Sequence, residues 1–284
     1  MEKLNLAIIG HGFVGKAVDY AFDTPDVNVY VIDKKYPESS IETLSNLPID
    51  ITFVCVSTPM GADGEVDSSN VREVIEYLTN HVSGIIALKS TVTPDVVKWA
   101  SELTDQFVYN PEFLTERNAL DDFVNAEFNI VGAKSNEVAA QVFEIYEDFS
   151  KCSMSSERVH VSPVEASLIK YGINSFLASK VVWFNQFYDL VKASGCDVEE
   201  VLYGVTRDNR IGTSHSLVPG FDGKRGYAGA CFPKDTIALA RYAQSLGNSF
   251  SILEEVIERN QEYRKPYELD EREREQNVSY DHVV

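Results

Sequence analysis

The chain has 284 residues, enough for roughly two domains at about 150 residues each. Its composition, 44% hydrophobic and 24% charged, excludes a largely disordered chain, a collagen-like repeat and a small disulfide-held scaffold. Asp and Glu number 44 and Lys and Arg number 25, which gives a net charge of −19. This acidity argues against nucleic acid and anionic membrane surfaces as partners.

The cysteines are widely spaced, and no two of them form a C-x-x-C pair. This spacing favours neither a disulfide framework nor a zinc site, and it fits a reducing compartment. The N-terminus lacks the basic leader of a signal peptide, and no uncharged apolar run approaches the ~20 residues that span a bilayer. We therefore expect a cytoplasmic protein with no metal site. The four cysteines are Cys55, Cys152, Cys196 and Cys231.

Short β-branched runs alternate with helical patterns in the first half of the chain. Near-continuous apolar strands separated by helices predict a doubly wound parallel sheet covered on both faces, an α/β domain of the Rossmann type over residues 1–162. The predicted strands are 4–9, 28–32, 51–57, 85–89, 107–109, 129–131 and 159–161, and the helices between them are 14–22, 69–79 and 136–149.

The second half is predicted to be a helical domain over residues 163–263. Apolar residues such as Ala166, Ile169 and Ile173 recur every three or four positions and predict one long helix over 163–193. A Gly-, Pro- and Ser-rich stretch at 208–230 predicts a long functional loop. The charged residues 264–284 predict a frayed or partly disordered tail. Shorter helices are predicted at 198–206, 235–246 and 252–263.

A glycine-rich loop of the form G-x-G-x-x-G follows the first predicted strand directly. Gly10 permits a tight turn, Gly12 lets a pyrophosphate approach the backbone, and Gly15 lets helix and strand pack closely. Phe13 and Val14 open the helix, whose first N–H groups and positive dipole end favour phosphate. The order of strand, glycines and helix predicts a dinucleotide site.

Asp33 closes the second predicted strand, 18 residues after Gly15. An acid there can bind both ribose hydroxyls of NAD and repel the 2′-phosphate of NADP. Lys34 and Lys35 follow and could suit NADP, but solvated lysines at a strand end are the more ordinary interpretation. We predict NAD as the cofactor.

Four short motifs and two residues of the long helix carry a family resemblance. The motifs are Val-Cys-Val-Ser-Thr-Pro at 54–59, Lys-Ser-Thr-Val at 89–92, Asn-Pro-Glu-Phe-Leu-Thr-Glu at 110–116 and Gly-Ala-Cys-Phe-Pro-Lys-Asp at 229–235. With Lys170 and Asn174, the chain resembles the UDP-glucose / GDP-mannose dehydrogenase family from about residue 3 to residue 263. The resemblance implies a nucleotide-sugar dehydrogenase that oxidises a primary alcohol to a carboxylate with two NAD, and a homodimer built on the long helix.

The resemblance also implies roles for particular residues. Cys231 matches the nucleophile that forms a thiohemiacetal and then a thioester, while Lys170 and Asn174, four residues apart, would hold an oxyanion. Asp235 and Thr91 would hold a water, and Glu112 would act as acid and base. Further cofactor-binding residues would be Thr58, Thr91, Glu116 and Lys234, and substrate-binding residues would be Glu112, Phe113, Leu114, Lys170, Asn174, Arg210 and Gly229, with Arg210 reaching a neighbouring subunit.

The chain also departs from the family pattern. Family members usually continue into a second Rossmann-like domain, which we expect this chain to lack. Ala228 stands where glycine is common, and His215, Lys224 and Arg225 lie in a loop longer than usual, where they could contact phosphate or be solvated charges. Two other functions stay open: a two-electron dehydrogenase of the 6-phosphogluconate / β-hydroxyacid type, which needs no catalytic cysteine, and a non-catalytic shortened NAD-binding paralogue.

Overall fold

A computed structural model of the chain describes residues 3–115, 117–266 and 268–280. The chain divides into two compact units, the first made of Met1–Thr58 and Asp67–Lys170, the second of Pro59–Val66 and Tyr171–Val284. The division falls within the long helix, after Lys170, whereas the sequence pattern places a domain boundary after residue 162.

A seven-stranded sheet forms the centre of the first unit, in the order β2-β1-β3-β4-β5-β6-β7. Neighbouring strands are parallel except β5 and β6, which are antiparallel. The predicted doubly wound α/β sheet is thus confirmed, but β6 and β7 run opposite to the other five strands, which was not expected, because an apolar run does not encode its direction. The strands are β1 Leu4–Ile9, β2 Val27–Ile32, β3 Ile51–Val54, β4 Ile85–Leu88, β5 Phe107–Tyr109, β6 Phe128–Ala133 and β7 Glu157–Val161.

Helices cover this sheet and explain why its central strands are buried at every position. All four residues of β3 and of β4 are buried, as expected for a parallel sheet with helices on its faces. Helix α3 begins with Pro94 in its first turn, a favourable position for proline, yet it lies outside the predicted helices. The helices are α1 Phe13–Phe22, α2 Ser69–His81, α3 Pro94–Leu103, α4 Ala119–Val124 and α5 Asn136–Phe149, with a 3₁₀ helix at Ile41–Asn46.

The second unit is helical, as the sequence predicts. The long helix α6 spans Pro163–Ala193, and its residues from Tyr171 onward belong to this unit. Tyr171 packs with Met60, Ile237 and Leu253 in a buried apolar cluster. In the part of the chain that the structure describes, no helix is both long and apolar enough to span a bilayer. The other helices are α7 Val198–Thr206, α8 Phe232–Ser245, α9 Ser251–Arg264 and α10 Glu271–Glu275.

The expected frayed tail is wrong for residues 268–280. These residues form α10 and a short extension whose side chains Val278 and Tyr280 are 3% and 5% exposed. Asp270 and Glu273 form a reciprocal capping box at the start of α10. The D-x-x-E spacing was the available sequence signal, and the surrounding charges obscured it.

Candidate active site

In the first unit, the candidate cofactor residues lie where the parallel strands end. Strand β2 lies on one side of β1, and β3 lies on the other side. The direction in which successive strands are added to the sheet therefore reverses beside β1. Ligands of open α/β sheets bind at such a reversal, beyond the carboxyl ends of the strands. Gly10 follows β1, Asp33 follows β2 and Cys55 follows β3. The topology therefore gathers the predicted dinucleotide residues at one edge.

The three loop glycines meet different surroundings. Gly10 has φ +91°, and a Cβ there would lie 2.6 Å from the carbonyl oxygen of Cys55. A Cβ on Gly15 would lie 2.0 Å from the carbonyl oxygen of Gly10, so both positions require glycine for the fold. A Cβ on Gly12 would meet no atom within 4 Å. Gly12 therefore leaves open space at the start of α1, which fits the close approach of a pyrophosphate.

Backbone N–H groups near the predicted dinucleotide site hold the Asp33 carboxylate in place. Its Oδ2 accepts a hydrogen bond from the His11 backbone N–H, and its Oδ1 accepts one from the Lys35 backbone N–H. Partial burial acts to raise the pKa of Asp33, but these N–H groups outweigh it and lower that pKa below its ordinary value. Lys34 donates from Nζ to Asn70. The site thus offers a fixed carboxylate at the position expected to bind the ribose.

A buried amine network underlies the Asn-Pro-Glu motif. Lys89, 3% exposed at the end of β4, donates from Nζ to the backbone oxygen and to Oδ1 of Asn110, both at 3.0 Å. Tyr146 donates to the same Oδ1 at 2.7 Å. Burial lowers the pKa of Lys89 to about 8. Sequence reasoning quoted Lys89 within a motif but missed this role, although a lysine ending an apolar strand was a usable signal.

Glu112 and Lys170 meet in the same unit. Lys170 Nζ lies 2.6 Å from the backbone oxygen of Glu112 and 3.3 Å from its Oε1. The Leu114 backbone N–H donates to the other carboxylate oxygen, and the Lys170 ammonium lies 5.2 Å from the Phe113 ring centre. Both charged side chains are at least nine-tenths buried. The loop is therefore fixed around a charged pair rather than exposed to solvent.

Cys231 stands at the start of α8 in the second unit. It is the N-cap residue of that helix, and its carbonyl oxygen accepts from the Asp235 backbone N–H. Cys231 is half-buried, and Gly229, two residues earlier, has φ +85°. Helix α8 begins three residues before its predicted start, because Pro233 suits the first turn. A helix N-terminus stabilises a thiolate, so the placement suits a nucleophile.

A buried polar cluster lies one turn into α8. Asp235, 1% exposed, accepts from Asn174 Nδ2 at 2.6 Å through one carboxylate oxygen and from Lys234 Nζ at 2.7 Å through the other. Asn174 and Lys234 are themselves at least nine-tenths buried. The second unit thus brings together three of the predicted site residues. Buried charges are retained when paired and hydrogen-bonded in this way.

The other predicted residues have varied surroundings. Thr58 is buried and Thr91 is half-buried, whereas Glu116 lies outside the described residues. Arg210 is 89% exposed and pairs with Asp208 of its own loop. Two loop cations considered for phosphate are paired with acids in the second unit: Lys224 lies 3.7 Å from Glu268, and Arg225 lies 2.8 Å from Asp189.

Within residues 3–115, 117–266 and 268–280, no group of three or more His, Cys, Asp or Glu side chains could hold a metal ion.

Glu273 of α10 is a second residue that sequence reasoning missed. Its carboxylate accepts from the Gly229 backbone N–H at 3.0 Å, close in sequence to Cys231.

Two domains of one protein family match this chain. Residues 38–150 match the NAD binding domain of the UDP-glucose/GDP-mannose dehydrogenase family, and residues 164–262 match the central domain of the same family. The first match implies NAD as the cofactor. Together the two matches cover most of both described units.

Relatives and solved structures agree with these domains. UDP-glucose 6-dehydrogenase TuaD of Bacillus subtilis (strain 168) is 32% identical over 308 residues, which cover 93% of this chain and 64% of the relative. A UDP-glucose dehydrogenase from the archaeon Pyrobaculum islandicum aligns with a TM-score of 0.80 and 26% identity, covering 92% of this chain and 68% of that one. Several other relatives are covered over about half their length, 47–49%.

The fold is shared more widely. The 3-hydroxyisobutyrate dehydrogenase of Mycobacterium tuberculosis aligns with a TM-score of 0.74, covering 99% of this chain and 98% of that one. Its identity to this chain is 13%, so the likeness concerns the fold alone.

Proposed function

This chain belongs to the UDP-glucose/GDP-mannose dehydrogenase family, and on that premise we propose that it oxidises the C6 alcohol of UDP-glucose, or of a similar sugar nucleotide, to the carboxylate. The observation that carries the proposal is the buried Asn174–Asp235–Lys234 cluster one helical turn after Cys231. A β-hydroxyacid dehydrogenase has no need of a cysteine at that position. The proposed reaction consumes two NAD and one water for each alcohol.

Cys231 supplies the covalent step. Its thiolate adds to the carbonyl carbon of the aldehyde from the first oxidation, and the new C–S bond gives a thiohemiacetal oxyanion. Loss of a hydride from that carbon makes a thioester. Water then adds to the thioester carbonyl, the C–S bond breaks, and the products are the carboxylate, the restored thiolate and two protons. The N-terminus of α8 favours the thiolate at both ends of this sequence.

Asp235 is proposed to orient the water that cleaves the thioester. Asn174 donates a hydrogen bond to one carboxylate oxygen of Asp235, and Lys234 donates one to the other oxygen. The two hydrogen bonds hold the carboxylate in one orientation. Each carboxylate oxygen can accept a second hydrogen bond, so capacity for a water remains. Thr91 is proposed to contribute a hydroxyl to that water.

Glu112 is proposed as the acid and base of the reaction, with Lys170 as its charged partner. The ammonium of Lys170 lies 3.3 Å from the Glu112 carboxylate and restricts its rotamer. Lys170 and Asn174 are proposed to stabilise the oxyanion, as donors already ordered before the substrate binds.

The first unit is proposed to bind NAD through the glycine loop and Asp33. Open space at Gly12 suits the pyrophosphate, and the fixed Asp33 carboxylate suits the ribose hydroxyls. Bound NAD supplies acceptance of a hydride in each oxidation. Phe13 and Val14 offer backbone N–H groups at the start of α1.

A homodimer through α6 is part of the proposal. Phe176, Trp183 and Leu190 are 70%, 51% and 61% exposed and lie seven residues apart, so they share one helix face. Exposed apolar stripes of this kind mark interfaces. The exposed guanidinium of Arg210 is proposed to serve the partner's substrate.

The decisive experiment counts NADH formed per substrate consumed, across a panel of sugar nucleotides. Two NADH per acid support the proposal. One NADH per substrate, with a β-hydroxyacid as the accepted substrate, would favour the two-electron dehydrogenase that the sequence analysis left open. NAD binding with no turnover of any sugar nucleotide would favour a non-catalytic NAD-binding protein. The matched control is Cys231→Ala, in which NAD binding should persist.

A further inference from the structure

The segment 268–280 contacts the loop that carries the nucleophile. Glu273 is 4% exposed, although it lies in the most charge-rich stretch of the chain. Its Oε1 accepts from the Gly229 backbone N–H at 3.0 Å and from the Tyr280 hydroxyl at 2.9 Å. Its Oε2 accepts from the Asp270 backbone N–H at 2.8 Å. Three donors therefore fix one buried carboxylate against the residue that stands two positions before Cys231.

Other contacts build this segment into the second unit. The Met60 backbone N–H donates to the carbonyl oxygen of Gln276 at 2.8 Å, and Val278 is 3% exposed. The segment is thus anchored on both sides of Glu273, by the capping box before it and by these contacts after it. An anchored carboxylate can hold a loop, whereas one on a frayed end could not.

The loop over residues 226–231, which ends at Cys231, is called the nucleophile loop. Helix α9 holds the first two residues of this loop. Asn260 accepts from the Tyr227 backbone N–H at 2.7 Å and donates to the Tyr227 carbonyl oxygen at 3.0 Å. Arg264 donates to the carbonyl oxygen of Gly226 at 3.0 Å. Residues 226 and 227 are therefore fixed by α9, and Gly229 is fixed by Glu273. Gly229 adopts φ +85°, a left-handed conformation that favours glycine, two residues before Cys231.

We propose that Glu273 is a positioning residue for Cys231, and that the segment 268–280 is an intramolecular strap which orders the nucleophile loop. The inference deepens the proposed function and rests on it for its catalytic part. A misplacement of about 1 Å at a reacting group costs about a hundredfold in rate, so loss of the Glu273 contact should lower kcat with little change in KM. It should also make the Cys231 thiol more accessible to reagents.

The test compares Glu273→Ala, Glu273→Gln and the control Glu275→Ala, an exposed acid on the same helix. Alkylation of Cys231 by iodoacetamide is followed by mass spectrometry, with exposed Cys196 as the internal reference. We expect Glu273→Ala to raise the Cys231 rate at least about tenfold and to lower kcat at least about tenfold. Glu273→Gln keeps an acceptor for Gly229 and should restore most of kcat. Glu275→Ala should change neither rate.

Alkylation separates this inference from the proposed function, because it needs no substrate. A folded Glu273→Ala protein with a wild-type alkylation rate at Cys231 would overturn the strap. Altered alkylation in a protein that oxidises no sugar nucleotide would support the strap and overturn the dehydrogenase.

Hydrogen exchange on the wild-type protein tests the strap without any variant. We expect the Gly229 amide to exchange at least about a hundredfold more slowly than in an unstructured peptide. Exchange at the unstructured rate would overturn the proposal, even where Glu273→Ala does not fold.

Discussion

Replacing Lys89 by methionine should remove a gain in folding stability that the wild-type protein shows as the pH becomes alkaline. Burial lowers the pKa of Lys89 from 10.5 to about 8 in the folded protein, whereas the unfolded chain keeps the ordinary value. Between these two pKa values the folded protein has released a proton that the unfolded chain retains. Stability therefore rises with pH across that window, because the unfolded state binds more protons.

The size of the effect follows from the shift. About 2.5 pKa units at about 1.4 kcal/mol each correspond to a gain on the order of 3 kcal/mol between pH 8 and pH 10.5. Below pH 8 the lysine is charged in both the folded and the unfolded state. The hydrogen bonds to Asn110 and Tyr146 then offset the free-energy cost of burying the ammonium. Methionine has a similar volume but no proton, so Lys89→Met should lack this gain.

The assay is urea unfolding followed by circular dichroism at pH 7, 8, 9, 10 and 10.5. The free energy of unfolding of wild type minus that of Lys89→Met should be constant up to about pH 8 and then increase by about 3 kcal/mol. Lys98→Met, which removes an exposed lysine of the same unit, is the matched control and should show no such increase. A flat difference for Lys89→Met from pH 8 to pH 10.5 would refute the reasoning.

Three further predictions concern the proposed reaction and assembly. Cys231→Ala should abolish acid formation and limit NADH formation, measured at 340 nm, to at most one NADH per site, while calorimetry still detects NAD binding; acid production near the wild-type rate would exclude the covalent route. Asp33→Ala should weaken NAD binding by about 1–3 kcal/mol, the scale of charged hydrogen bonds, and narrow the preference over NADP; an unchanged ratio in titrations of both cofactors would remove Asp33 from the site. Trp183→Lys should convert a dimer to monomers in analytical ultracentrifugation, whereas exchange of exposed Met154 for Lys should not.

Local sequence signals predicted the features that depend on neighbouring residues. The glycine loop, the strand β1 and the long helix α6 lie where the pattern predicts them, because turn chemistry and periodicity act over a few residues. The family resemblance identified Glu112 and Lys170 as separate site residues, but their contact across 58 residues was not predicted and depends on the fold.

The features that the sequence did not predict depend on distant contacts. Glu273 is an ordinary acid within Glu-Arg-Glu-Arg-Glu, and its burial depends on Gly229, 44 residues away in sequence. The Lys89–Tyr146 contact spans 57 residues and needs the sheet and α5 to be in place. The reversed direction of β6 and β7 has no local signature either. In each case the deciding energy is tertiary, and short-range propensity carries no information about it.

The different surroundings of the three loop glycines bear on how such a protein would change over evolutionary time. Gly10 and Gly15 are required by backbone atoms of the fold itself, so selection for a folded chain preserves them whatever the chain binds. Gly12 has no neighbour to avoid, and only the need for a ligand at that position keeps a side chain away. A lineage that retained this scaffold after losing its cofactor would therefore be free to substitute Gly12 while its two neighbouring glycines stayed invariant. The identity of that one residue in related chains is a marker of retained nucleotide binding that needs no assay.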